Sequence, residues 1–139
     1  MPMRALVLGC ILTVLAMPVT ARFYLTINRL EVNEMSANTF EVIESRGAGA
    51  RDIWCAAADY TQRTGRDGPR KRLYILTPRG PSQTVPGETG VGFTLAPDDA
   101  LKNTPPSYSV SVRRKGENLP VHHAHQFCDV AVDDFLDRF

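Results

Sequence analysis

The sequence predicts an α+β domain: an antiparallel sheet of about five strands with two helices packed on one face and tied together by a disulfide. Three observations carry this. Stretches that alternate polar and apolar residues are spread along the chain, as half-buried strands require. Only two stretches, 52–64 and 120–139, follow the helical period instead. Each of those two holds a cysteine beside an aromatic residue, Trp54-Cys55 and Phe127-Cys128.

The chain opens with Arg4, an apolar run from Ala5 to Met17, and the small-residue triplet Val19-Thr20-Ala21. That pattern reads as an export signal cleaved after Ala21. Two rivals are an uncleaved anchor, which is short for a span and contains Pro18, and a lipoprotein signal at Val7-Leu8-Gly9-Cys10, whose apolar run continues past the cysteine. Cleavage leaves residues 22–139, about 118 of the 139, as one domain with a modest core. It also removes Arg4, so 16 basic residues become 15 against 15 acidic ones. A formally neutral chain lacks the broad positive field on which nucleic-acid binding depends, and it carries no polybasic footprint for a membrane surface. The expected partner is therefore an envelope protein or a small ligand, with no nucleic acid and no stable membrane span once the signal is gone.

In order, Phe23, Leu25 and Ile27 alternate with Tyr24, Thr26 and Asn28, and Leu30 and Val32 extend the run as one strand. A break over 33–38 and a second alternating run, Thr39 to Glu44, make a hairpin. The glycine-bearing turn 45–50 leads to the first helix. Asp52 is placed as its N-cap, Ala56-Ala57-Ala58 carry almost no helix-entropy cost, and Gly65 supplies a left-handed stop. At ~100° per residue, Trp54, Ala57, Ala58 and Thr61 share the packing face, while Ala56, Asp59 and Arg63 point to solvent.

The link Arg66-Asp67-Gly68-Pro69-Arg70-Lys71-Arg72 is turn-forming and basic; such a cluster either binds an anion or is a solvated loop, and the loop is the expectation. Leu73 to Leu76 reads as a strand stopped by Pro78. The Gly- and Pro-rich stretch 79–90 precedes a strand at 91–95, and within it residues 79–88 are the first place to seek a binding edge. Its glycines do not form a phosphate loop, because they run into a strand and lack the following Lys-Ser/Thr. Residues 96–106 are irregular. Tyr108, Val110 and Val112 alternate cleanly with Ser109, Ser111 and Arg113 as a strand, a turn follows at 115–118, and Pro120 opens the C-terminal helix.

Candidate chemistry is sparse. His122, His125 and Asp129 would lie on one helical face at i, i+3 and i+7, residue types that hold zinc or copper, but no fourth ligand is in view, so neither metal nor cofactor is expected. A Cys-His nucleophilic pair would need a free thiolate, which export disfavours. Ser82 lacks the strand-elbow-helix setting of a hydrolase serine, and the adjacent carboxylates Asp98-Asp99 and Asp133-Asp134 do not make an acid-base pair. A non-catalytic binding or interaction module is the expectation, with a metal-binding protein or a small enzyme as alternatives.

With Cys10 in the signal, Cys55 and Cys128 have only each other to pair with in an oxidising compartment. The bridge would close a loop of about 74 residues, for which chain entropy suggests roughly 4 kcal/mol as an upper figure.

Finally, Trp54-Cys55-Ala-Ala-Ala-Asp59-Tyr60, Leu73-Tyr74-Ile75, Gly80-Pro81-Ser82, Val91-Gly92-Phe93-Thr94-Leu95 and the late Phe127-Cys128 resemble small exported bacterial proteins of uncharacterised function. The resemblance covers most of the mature chain. It implies no activity, ligand or catalytic residue.

Overall fold

The small side chains of the first helix allow close approach from every side, and the fold uses all of them. A computed structural model describes residues 23–129 apart from 106 and 108; in it helix α1 spans Ala50–Arg63. It begins two residues before Asp52, so Gly49 is the N-cap and Asp52 reaches back from the first turn to accept the Gly49 N–H at 2.9 Å. The carboxylate still satisfies an orphan donor, from inside the helix. At the other end Gly65 takes φ +70°, and the Gly65 and Arg66 N–H groups close on the Gln62 and Thr61 carbonyls, as a left-handed stop requires.

Every residue from Ile53 to Thr61 is buried, which corrects the expected solvent face at Ala56 and Asp59. The sheet covers one side of α1, and the C-terminal segment and the first strand turn cover the other. Asp59, 2% exposed, accepts the Ile27 N–H at 2.9 Å, pairs with Arg63 at 3.1 Å and faces His125 Nε2 at 3.7 Å. Only Arg63 of that row reaches water.

The sheet has six strands in the order β1-β2-β3-β5-β4-β6, all neighbours antiparallel. The expected first strand is in fact two, β1 (Phe23–Leu25) and β2 (Glu31–Glu34). Between them Thr26 and Leu30 bond across a turn in which Arg29 adopts φ 61°. The polar pair Asn28-Arg29 is the turn that the apolar alternation concealed. β3 (Thr39–Ile43) pairs with β2 as expected, Val32 opposite Val42.

β4 (Arg72–Pro81) runs through Pro78 instead of ending there. Its register against β5 (Thr89–Thr94) slips twice, between Ile75 and Thr77 and between Thr77 and Gly80. Such bulges release the ladder bond that a proline could not make. Residues 98–103, expected to be irregular, hold a short helix, α2 (Asp99–Lys102), with the Asp98 carboxylate capping the Leu101 N–H.

Residues 109–112, the described end of the alternating stretch, are not a strand. Their carbonyls serve single partners: Val110 accepts the Trp54 indole N–H at 2.9 Å and Val112 accepts the Arg79 N–H at 2.8 Å. The second partner of β4 is β6 (Asn118–Pro120), which starts on the last residue of the expected turn and ends on Pro120, the residue expected to open the C-terminal helix; Pro120 instead caps α3 (Val121–His125). α3 stops at Gln126, with one more helical turn at 127–129. The rest of the expected C-terminal helix, 130–139, and the signal segment, 1–21, lie outside the described residues.

The core sits between α1 and the sheet. Phe40 lies between Tyr60 and Phe93, at 4.7 and 5.8 Å, and Trp54 meets Phe93 edge-on at 5.2 Å. Burial pushes the Tyr60 hydroxyl above its ordinary pKa, against the pull of Arg66. The Cys55–Cys128 disulfide is formed, with both residues buried, and joins α1 to the turn after α3. The fold class is the expected one, with one strand more.

Candidate functional site

Because successive strand residues point to opposite faces, Leu73 and Ile75 enter the core under α1, and Arg72 and Tyr74 emerge on the far face with Glu41, Gly90 and Gly92. Two features occupy that far face: a loop clasped onto Glu41, and an open basic cleft.

The clasp involves the stretch 79–88 that the sequence offered as a binding edge. Glu41, only 2% exposed, accepts hydrogen bonds from the Ser82 and Thr84 hydroxyls and from the Gln83 and Thr84 N–H groups. Arg79 pairs with Glu44, and Asn33 Nδ2 donates to Thr84. A Cβ on Gly90 would stand 2.5 Å from Glu41 Oε1, so the glycine makes room for the carboxylate to lie across the sheet. The polar groups of this loop are consumed in holding it down, which leaves few of them for a ligand.

The residues proposed from sequence as metal candidates are not brought together. His122 and Asp129 are exposed, His125 turns toward Asp59, and the break at Gln126 ends the face they would share. Among the described residues no group of three or more His, Cys, Asp or Glu could hold a metal ion.

The cleft, about 370 Å³, lies where the 68–71 turn and the start of β4 face α2 and the end of β5. Arg70, Lys71, Arg72 and Lys102 supply its charge; Tyr74, Leu95 and Pro97 supply an apolar floor. No carboxylate, imidazole, thiol or aliphatic hydroxyl is among the lining residues. The surrounding turn is built for this shape: Asp67 accepts the Gly68 N–H, and Lys71 N–H closes on the Gly68 carbonyl. Arg72 is oriented by Asn118, whose Oδ1 accepts Arg72 Nε–H at 2.9 Å, while Asn118 Nδ2 donates to the Gly116 carbonyl at 2.9 Å. The basic run 70–72 was visible in the sequence as one wall. Lys102, Tyr74 and Asn118 were not, since only strand register and the chain return at β6 bring them there.

No protein-family model matches this chain, and no curated protein or solved structure matches it either. Among the described residues no helix is long and apolar enough to cross a membrane.

Proposed function

We propose that this chain is an exported, non-catalytic binding module of the cell envelope, akin to small exported bacterial proteins, that takes an anionic partner in the basic cleft. One observation carries the reading: four cationic side chains line a cleft with an apolar floor and no acidic neighbour in its wall. Such a lining can attract and seat a negative group, and it brings no carboxylate, imidazole, thiol or aliphatic hydroxyl to act on it. Export is supported by the signal-like residues 1–21 and by a buried disulfide of the kind that oxidising compartments maintain.

The test uses the mature protein recovered from the periplasm, whose intact mass should begin at Arg22. A mass that still includes residues 1–21, or a lipid adduct on Cys10, contradicts export with cleavage. Pulldown from periplasmic extract is then compared with the triple variant Arg70→Gln/Lys71→Gln/Lys102→Gln. The wild type should retain a partner that the variant loses; equal retention would remove the cleft from the reading.

A further inference from the structure

We propose that the cleft is a site for a phosphoryl group carried on a small organic body, with Arg72 as its anchor and Asn118 as the residue that positions Arg72. This rests on the cleft being the binding site. It goes beyond that by naming the ligand chemistry.

The cleft cations differ from the four arginines of the fold that pair with acids. Arg63, Arg66, Arg79 and Arg114 each reach a carboxylate, on Asp59, Glu34, Glu44 and Glu117 respectively. Among the described residues none of Arg70, Lys71, Arg72 and Lys102 makes such a pair. Of three acids near them in the chain, Asp67 and Asp98 are bonded to the backbone N–H groups of Gly68 and Leu101, and Asp99 is exposed in the first turn of α2 and makes no ion pair with Lys102 among the described residues. Arg72 is the most telling. Its guanidinium is held through Nε by a side-chain amide, and Nη2 approaches the Asn118 carbonyl at 3.5 Å. An amide fixes a guanidinium without neutralising it, whereas an aspartate in the same place would fix and neutralise it together. Asn118, 9% exposed, is itself set by the Gly116 carbonyl, so the amide oxygen is presented to Arg72 and not the amide nitrogen. The result is a pre-oriented positive group, with three exposed ones around it.

The charge selects the ligand. A phosphate monoester carries about −1.5 to −2 at neutral pH and three acceptor oxygens, against −1 and two oxygens for a carboxylate. Four cations around one cleft match the larger charge, and a planar fork beside flexible ammonium groups is a common way of holding it. The floor selects the body. Leu95 is 6% exposed, and Tyr74 and Pro97 are half-buried, so a ring or a sugar face can lie on them and exclude water from the phosphoryl oxygens. Inorganic phosphate would leave that floor wet.

Calorimetric titration of the mature, oxidised protein with phenyl phosphate, inorganic phosphate and benzoate separates these elements. Phenyl phosphate should bind about tenfold or more tightly than either of the others, Arg72→Gln should weaken it about tenfold, and Lys102→Gln, an exposed change that leaves folding intact, about threefold. Asn118→Asp should weaken phenyl phosphate about as much as Arg72→Gln does, because it still holds Arg72 but neutralises it, and should lower the melting temperature as well, because its second oxygen cannot donate to the Gly116 carbonyl. A merely structural role would lower the melting temperature and spare affinity. If benzoate binds as tightly as phenyl phosphate and both depend on Arg72, the phosphoryl assignment is overturned while the cleft stands. Equal binding of phenyl phosphate and inorganic phosphate overturns the organic body. No binding of any anion, together with a pulldown that the triple variant does not change, ends both readings.

Discussion

Glu41 and Arg72 lie on the same face of the same sheet and meet opposite treatment. The carboxylate of Glu41 accepts four donors from one loop and is sealed from water. The guanidinium of Arg72 is held by one neutral amide, beside three cations that pair with no carboxylate among the described residues, at the rim of a cleft. A buried charge is tolerated only when its bonding capacity is filled, and once filled it belongs to the structure. A charge oriented but left uncompensated at the surface adds little to stability and remains available to something else. The contrast separates a staple from a site, and it predicts which substitutions will be felt in folding and which only in binding.

The scale for a tie between distant segments is set by the disulfide. Cys128→Ser should lower stability by up to about 4 kcal/mol and the melting temperature by on the order of 15 °C; a thermal scan that shows no change would mean the bridge adds nothing to a fold already held by its core. Next comes the staple itself. Glu41→Ala strands the Ser82, Gln83 and Thr84 donors and should cost about 3 kcal/mol in a urea titration, with faster amide exchange over 82–85. If stability is untouched, the loop does not depend on Glu41 and the contrast with Arg72 collapses. Gly90→Ala, forced against the Glu41 carboxylate, should cost about 2 kcal/mol, and most of that loss should disappear in the Glu41→Ala background. Additive losses would show that Gly90 is needed for some other reason. Smallest of all, Arg70→Gln, Lys71→Gln and Lys102→Gln should each move stability by less than about 0.5 kcal/mol. A larger fall for any of them would place that cation with the staples.

What the sequence made legible follows from how far each signal reaches along the chain. The centre of α1 and its stop were readable because Ala56-Ala57-Ala58 and Gly65 act within a turn or two. The disulfide was readable because Cys10 falls in the stretch that reads as a signal, which leaves Cys55 and Cys128 to pair. The burial of Asp59 was not, since Ile27 and His125 cover it from 32 positions before and 66 after. Alternation over 109–112 misled for a related reason: periodicity shows that a segment can lie half-buried, and not that a ladder partner will be beside it. β6 shows the converse, three residues with little strand character made into a strand by the edge that β4 offers them. Of the cleft, the wall at Arg70–Arg72 was legible as a basic run, and even there the expectation was a solvated loop. What turns it into a cleft is the opposite wall at Leu95, Pro97 and Lys102, the last about 30 residues further on, and what orients Arg72 is Asn118, about 46 further on.

The disulfide divides the chain by how it can bear a pull. Cys55 and Cys128, 73 positions apart, close a covalent ring that contains most of α1, all of β4, β5 and β6, and both walls of the cleft. β1, β2 and β3 lie outside it. Tension applied at the two chain ends would peel away those three strands, yet could not draw out the ring, which hides roughly 250 Å of contour at about 3.5 Å per residue. The cleft would keep its connecting chain under loads that strip off half of the sheet, and reduction of one bond would release that whole length at once. In a force-extension trace the oxidised and reduced proteins should differ by that increment.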